Sequence, residues 1–293
     1  MEVTDRWRAR WDDDVVEIER GPTPASIPSP GAETTRLGHV SDFHLGAKLA
    51  SGDVPSVVEH WLADLEAAGV DVAVVTGDLV ETPGDRVGLL RIRHLLDAAD
   101  LDWVVVPGNH DLSTPGCDTT FEELFGGYPR VERLGGAEFL LCDSMGAFPV
   151  DDRGPFERLM GQKFCYMRGR VGEAQLDDLE ARLTGEPDRP RVLAVHHRLA
   201  PADEVFGHPV STSAPDTAMV PALDAGQVIS RFREWGVRAA FHGHRHRHWP
   251  AYVRGGAVVF NSGSATRGKP QRRGRIVDLG RGRIEVCEVV QRA

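Results

Sequence analysis

The sequence predicts an α/β fold, and three observations carry the prediction. Between Arg36 and Val106, short apolar runs alternate with stretches of helical periodicity in the order β-α-β-α-β. The run from Val70 to Thr76, V-D-V-A-V-V-T, is nearly continuously apolar, as in a strand buried within a parallel sheet. Each strand-like run empties into a cluster of Asp, Asn, His or Gly, where an open α/β sheet places its ligand sites.

Composition bounds what such a fold can do. With 293 residues the chain can form one large domain, or a domain with a small appendage, around a sizeable core. The formal net charge of −10 argues against broad binding to nucleic acid or anionic lipid, so a small anionic substrate would need a locally positive site. No apolar run approaches the roughly 18 residues of a membrane span, and the N-terminus lacks an apolar signal segment, so a cytoplasmic protein without membrane association is expected. Cys117, Cys142, Cys165 and Cys287 are scattered, without C-x-x-C spacing, and read as reduced thiols. A metal site would therefore use oxygen and nitrogen donors. No oligomeric state is specified.

Residues 1–36 read as an N-terminal extension: Trp7 and Trp11, four apart, would share one face of a short helix, and G-P-T-P-A-S-I-P-S-P would form an extended linker or strap. Residues 37–293 read as the catalytic domain. Arg36–Ser41 is a strand ending in a turn at Asp42-Phe43-His44. Val57, Val58, Trp61, Leu62 and Leu65 recur at helical spacing, with Gly69 as the cap. A second helix spans about Asp85 to Ala99, and a strand from Trp103 to Val106 runs into P-G-N-H-D. A looser region follows, with one clear strand at Glu138–Cys142. Gly172–Leu183 reads as a helix, Arg191–Val195 as a strand ending in His196-His197, and Asp224–Trp235 as a helix. Next comes A-A-F-H-G-H-R-H-R-H-W, four histidines on alternate positions around Gly243, which would allow the tight turn between strand and site. Ala257–Asn261, Arg275–Leu279 and Ile284–Val290 read as a meander.

Five strand exits thus carry Asp42 with His44, Asp78 with Glu81, Asn109 with His110, His196, and His244 with His246. Each alone is compatible with an ordinary turn or a satisfied buried histidine. Their joint occurrence at successive strand ends points to a metal centre, since imidazole is the commonest side-chain metal ligand.

The order D-x-H, G-D-x-x-E, G-N-H-D, H-H, G-H-x-H resembles the calcineurin-like metallophosphoesterase superfamily, from about Leu37 to the C-terminus. The resemblance implies a four-layer α/β/β/α sandwich of two mixed β-sheets flanked by helices. It also implies two divalent transition-metal ions, manganese or iron ahead of zinc or cobalt. By motif position Asp42, His44 and His246 would hold one ion and Asn109, His196 and His244 the other, with Asp78 shared; His196 is preferred to His197 because it comes first off the strand. Such an ion pair clamps the attacking and leaving oxygens of a displacement at phosphorus. His110 would face the substrate and protonate the leaving oxygen, with Glu81, where many relatives have Asp, orienting its ring.

S-D-F-H-L-G, P-G-N-H-D, G-E-A-Q-L-D-D-L-E and the V-H-H ending look most like the class III cyclic-nucleotide phosphodiesterases. The resemblance therefore implies a phosphodiesterase acting on a cyclic nucleotide or another small phosphodiester. The alternatives are a phosphomonoesterase, a nuclease, or a non-catalytic scaffold retaining the fold. The basic run Arg267–Arg275 is the one feature favouring a nuclease, against its reading as a solvated hairpin; one of its arginines could contact a substrate phosphate. No other substrate-binding residue is evident. His39, His60, His94 and His208 read as packing or surface residues, and His242 and His248 as supports flanking the site.

Overall fold

The computed structural model describes the chain except residues 13–14, 32, 50–52, 113–116, 146–168, 184, 186, 200–221, 247, 249–250, 268–270 and 293. Strands β1 (Glu2–Asp12), β2 (Val15–Arg20), β3 (Thr35–Val40), β4 (Val72–Val75), β5 (Asp102–Val105), β12 (Gln271–Leu279) and β13 (Arg283–Arg292) form one sheet in the order β2-β1-β13-β12-β3-β4-β5. The other sheet is β10-β11-β9-β8-β7-β6, built from β6 (Arg130–Leu134), β7 (Ala137–Leu141), β8 (Arg191–Ala194), β9 (Val237–His242), β10 (Tyr252–Arg254) and β11 (Ala257–Asn261). Both are mixed: β3, β4 and β5 run parallel, as do β7, β8, β9 and β11, with antiparallel strands outside them.

Alternation of side chains across each strand sorts the apolar residues into three layers of core. Leu37, Val72, Val104, Val277 and Ile284 from one sheet meet Phe139, Val192, Phe241 and Phe260 from the other between the sheets. The outer face of the first sheet packs Val40, Ala73 and Ile276 against α1 (Val54–Ala67), α2 (Arg86–Ala98) and α4 (Cys117–Phe125), beyond the one-turn α3 (Asn109–Leu112). The outer face of the second packs Leu140, Leu193 and Ala240 against α5 (Glu173–Arg182) and α6 (Ala225–Ser230). The result is the α/β/β/α sandwich. Helix ends follow local chemistry: Asp53 and Asp85 accept from the amides of Ser56 and Gly88, 3.0 and 2.9 Å away, and Gly69, at φ 67°, closes α1.

Three sequence expectations change. The Trp7–Trp11 segment is a strand and not a helix. A spacing of four also keeps both indoles on one face of a strand, and Trp7 and Ala9 alternate into the core between the sheets. The expected three-strand meander is divided: β12 and β13 form the hairpin, whereas β11 pairs parallel with β9 in the opposite sheet. The helix expected to reach Trp235 ends at Ser230, and the turns after it still bury Phe232 and Trp235. Cys117, Cys142 and Cys287 are free and buried, while Cys165 and His208 lie outside the described residues. No helix among the described residues is long and apolar enough to cross a membrane.

A polar cluster lies between the sheets. Glu288 on β13 accepts from Arg275 Nε on β12 at 2.8 Å, meets His248 Nε2, and accepts from Trp7 Nε1 on β1 at 3.4 Å. Arg275 is therefore buried structure and is withdrawn from phosphate contact. Burial pushes the Glu288 carboxyl up, but the Arg275 guanidinium and His248, by charge and hydrogen bonds together, hold the group at about 2, below its ordinary 4.5. A carboxylate with a depressed folded-state pKa contributes stability above the unfolded value, and that stability is lost as pH falls through the folded one. Thermal melts between pH 4.5 and about pH 2 should show a steep loss of stability, and Glu288→Gln, less stable at neutral pH, should lose distinctly less over this interval; parallel curves would remove Glu288 as the titrating group.

Candidate metal centre

The C-terminal ends of β3, β4 and β8, the exit of β5 and the end of β9 converge at one edge of the sandwich. Asp42, His44, Asp78, His244 and His246 all sit there at positive φ, between 51° and 75°. The left-handed region costs a non-glycine residue about 1–2 kcal/mol, least for Asp, Asn and His. Strain concentrated on these five turns the chain sharply, so that side chains leaving separate strands face a common point.

Glycine makes room at the floor. A Cβ on Gly108 would lie 2.2 Å from Asp78 Oδ1, and one on Gly243 would lie 2.0 Å from Ser41 Oγ and 2.6 Å from Asp42 Oδ2. Gly243 was expected for its turn; its φ is not positive, and the neighbouring histidines take the left-handed conformations. Its requirement is close approach of backbone to the Asp42 loop.

Two groups of donor atoms result. In the first, His44 Nε2 lies 2.7 Å from His246 Nε2 and 3.7 Å from Asp78 Oδ2, and His246 Nε2 lies 3.2 Å from Asp42 Oδ1. In the second, Asn109 Oδ1 lies 3.0 Å from His196 Nε2 and 2.8 Å from His244 Nδ1, with Asp78 Oδ1 3.4 Å from His196 Nε2. Asp78 thus presents one oxygen to each group. Of the adjacent pair, His196 reaches the cluster, whereas His197 Nδ1 is paired with Ser144 Oγ at 2.8 Å.

The arrangement suits cations. His196 Nδ1 lies 2.6 Å from the Thr76 carbonyl, so this ring keeps a proton on Nδ1 and turns Nε2 inward, whereas His44 Nδ1 lies 2.9 Å from Glu81 Oε2, within ion-pair distance but without the alignment of a hydrogen bond. Burial pushes His44 down to about 4 and His244 down to about 3. Burial also disfavours a charged His196, but the Asp78 carboxylate, with Asp42 and the Thr76 carbonyl, brings that ring up to about 9. Imidazoles converge here on two fully buried carboxylates: burial keeps His44 and His244 neutral, the carboxylates draw positive charge onto His196, and a divalent ion supplies that charge in a set of oxygen and nitrogen donors. Three sets with metal-binding spacing occur among the described residues: Asp42, His44, Asp78 and His246; Asp78, His196 and His244; and His44, Glu81 and His110.

His110 and Glu81 border this cluster, in an arrangement that differs from the expected one. His110 Nδ1 donates to the main-chain carbonyl of Glu81 at 2.8 Å, whereas the Glu81 carboxylate lies 4.0 Å away and contacts His44 and Arg267 instead. Of the flanking histidines, His242 is buried against Tyr252 and Asn261 and His248 pairs with Glu288, both directed away from the donors.

Sequence reasoning passed over several supports. Asp111 accepts from the amides of Leu79, Val80 and Gly108, tying the β4 and β5 exits together; burial, then the neighbouring Asp78, raises its carboxyl to about 7. The motif G-N-H-D already contained this signal. Ser264 and Thr266 donate to the carbonyls of Asp42 and Phe43, each at 2.8 Å, a role that nothing in their local sequence announces.

Sandwich and donor clusters together define the class of a metal-dependent phosphoesterase. The chain belongs to the calcineurin-like phosphoesterase family, whose sequence model matches residues 35–248. It is 23% identical over 246 residues to the 3',5'-cyclic adenosine monophosphate phosphodiesterase CpdA of Haemophilus influenzae, covering 80% of this chain and 78% of that protein. Among solved structures, it resembles a dimetal phosphatase from Danio rerio, with a TM-score of 0.58 and 18% identity over 89% of this chain and 99% of the other. It also resembles the purple acid phosphatase PPD1 of yellow lupin, Lupinus luteus, with a TM-score of 0.57 and 13% identity over 90% of this chain and 53% of the other.

Because the floor has no room for a side chain, Gly108→Ala or Gly243→Ala should displace Asp78 or Asp42. Each is expected to destabilise the fold by about 1–3 kcal/mol and to reduce metal uptake, read by thermal melts and elemental analysis; full uptake by both variants would refute the close-approach requirement.

Proposed function

We propose that the chain is a binuclear metallophosphoesterase that hydrolyses phosphodiesters, a cyclic nucleotide or another small diester foremost. The observation that carries the reading is the sharing of Asp78 between two donor groups, with an imidazole, His110, at their border. Asp42, His44 and His246 would hold one ion, Asn109, His196 and His244 the other, and Asp78 both. Two divalent ions held there supply Lewis-acid polarisation and charge neutralisation at the phosphoryl group. The mixed oxygen and nitrogen donors suit manganese or iron first, zinc or cobalt second.

His110 is the general acid of this reading. Its Nδ1 is occupied by the Glu81 carbonyl, which fixes the ring and leaves Nε2 as the atom that passes a proton to the leaving oxygen. The side chain is 20% exposed, so it is open to solvent at the border of the buried cluster. Asp78 also accepts from the His110 amide at 2.9 Å, which ties the acid's position to that of the shared carboxylate. The complete donor set favours an enzyme over a scaffold that has lost its chemistry. The curated relative, a cyclic-nucleotide phosphodiesterase, supports a diester substrate.

The test is turnover of a phosphate monoester, a linear diester, cyclic nucleotides and single-stranded DNA by the manganese- or iron-loaded protein. The highest kcat/KM is expected on a small diester, and preference for the monoester or DNA would overturn that assignment. His110→Ala should keep its metals and lose roughly 10²–10⁴-fold in rate; unchanged turnover would remove His110 from the acid role.

A further inference from the structure

We infer that Arg267 is a positioning residue of this centre, acting through Glu81 on His44, so that the Glu81 carboxylate serves the inward-facing imidazole of His44 and not His110. The inference rests on the reading of the cluster as a metal centre.

Among the described residues, the Glu81 carboxylate meets Arg267 and His44 and lies farther from His110. Its Oε2 contacts Arg267 Nη2, lies 2.9 Å from His44 Nδ1 and lies 4.0 Å from His110 Nδ1. The proton on His110 Nδ1 is already engaged by the Glu81 main-chain carbonyl, which leaves His44 as the ring that the carboxylate can orient. His44 is buried, with a side-chain exposure of 0%, whereas Glu81 is 34% exposed. A carboxylate so placed is drawn outward to water unless a cation closes its outer side. Arg267 supplies that cation.

Both partners are held from the backbone. The Glu81 amide donates to the Leu45 carbonyl and the Leu45 amide to the Leu79 carbonyl, each at 2.9 Å, so Glu81 and His44 keep a fixed separation. The Arg267 amide donates to Ser264 Oγ at 3.0 Å, and that hydroxyl donates to the Asp42 carbonyl at 2.8 Å. Residues 264–267, which follow β11, are thereby anchored on the loop that carries Asp42 and His44. A carboxylate 2.9 Å from Nδ1 favours a proton on that nitrogen through its charge and leaves Nε2 turned toward His246 and Asp78. The greater reach of Glu over Asp is used to span to His44.

The experiment is titration of metal-free, full-length protein with Mn²⁺, on wild type, Arg267→Met, Arg267→Lys, Glu81→Ala and the Arg267→Met/Glu81→Ala double variant. Wild type should bind two ions. Arg267→Met should weaken one site about 10–100-fold and spare the other; Arg267→Lys should recover most of the loss, and the double variant should lose no more than Glu81→Ala alone. In the metal-free state, imidazole ¹⁵N shifts should report a proton on His44 Nδ1 in wild type and a tautomer mixture in Arg267→Met. Two unaltered sites in Arg267→Met, equal weakening of both sites with a lowered Tm, additive losses in the double variant, or an unchanged His44 tautomer would each overturn the inference. Wild type that takes up no ion would overturn the reading of the centre, and this inference with it.

Discussion

A buried carboxylate imposes the strictest condition on this molecule. Asp78 is 1% exposed, stands at the end of a central strand in a left-handed conformation, and has imidazoles on two sides. An ionised group in such a place costs several kcal/mol unless positive charge and hydrogen bonds compensate it. Its surroundings are arranged to compensate: the His110 amide donates to Oδ1, His196 and His44 face its two oxygens, and Gly108 admits the β5 exit against it without a side chain. Asp42 repeats the pattern at the β3 exit, accepting from the His244 amide at 3.2 Å. Two such carboxylates within one cluster of imidazoles form a site whose electrostatics are completed by cations.

The sandwich exists, in functional terms, to bring two sheets to one edge. Neither sheet holds a complete donor set: Asp42, His44, Asp78 and Asn109 leave the seven-stranded sheet, and His196, His244 and His246 leave the six-stranded one. The apolar layer between the sheets fixes their separation, and the hydrogen bonds from Ser264 and Thr266 to the Asp42 loop close the edge. The first strand belongs to the same frame, because Trp7 reaches Glu288 and Glu288 holds Arg275, which in turn donates to the Asn261 carbonyl beneath the His244 loop.

Much of this was legible in the sequence because it is local. Apolar runs followed by Asp, Asn or His mark strand exits, and helical periodicity separates them, so β3 to β5, β8 and β9 were expected close to their observed positions. The N-terminal strands were not, because a spacing of four satisfies a helix face and a strand face alike, and only pairing with β13 decides between them. The apparent meander failed for a related reason. Three apolar runs in succession do not reveal that the first has a parallel partner in the other sheet.

The sequence by itself determined the donor types, their order along the chain and the α/β alternation that places them at strand ends, because side-chain chemistry and periodicity are properties of short segments. Tertiary structure alone decided which of two adjacent histidines faces the cluster, that Gly243 is required for space and not for its turn, and that the Glu81 carboxylate meets His44 while its carbonyl meets His110. Those outcomes depend on differences of one or two ångströms between loops far apart in the chain. Such distances are set only when the two sheets have packed and the backbone groups between them have found their partners.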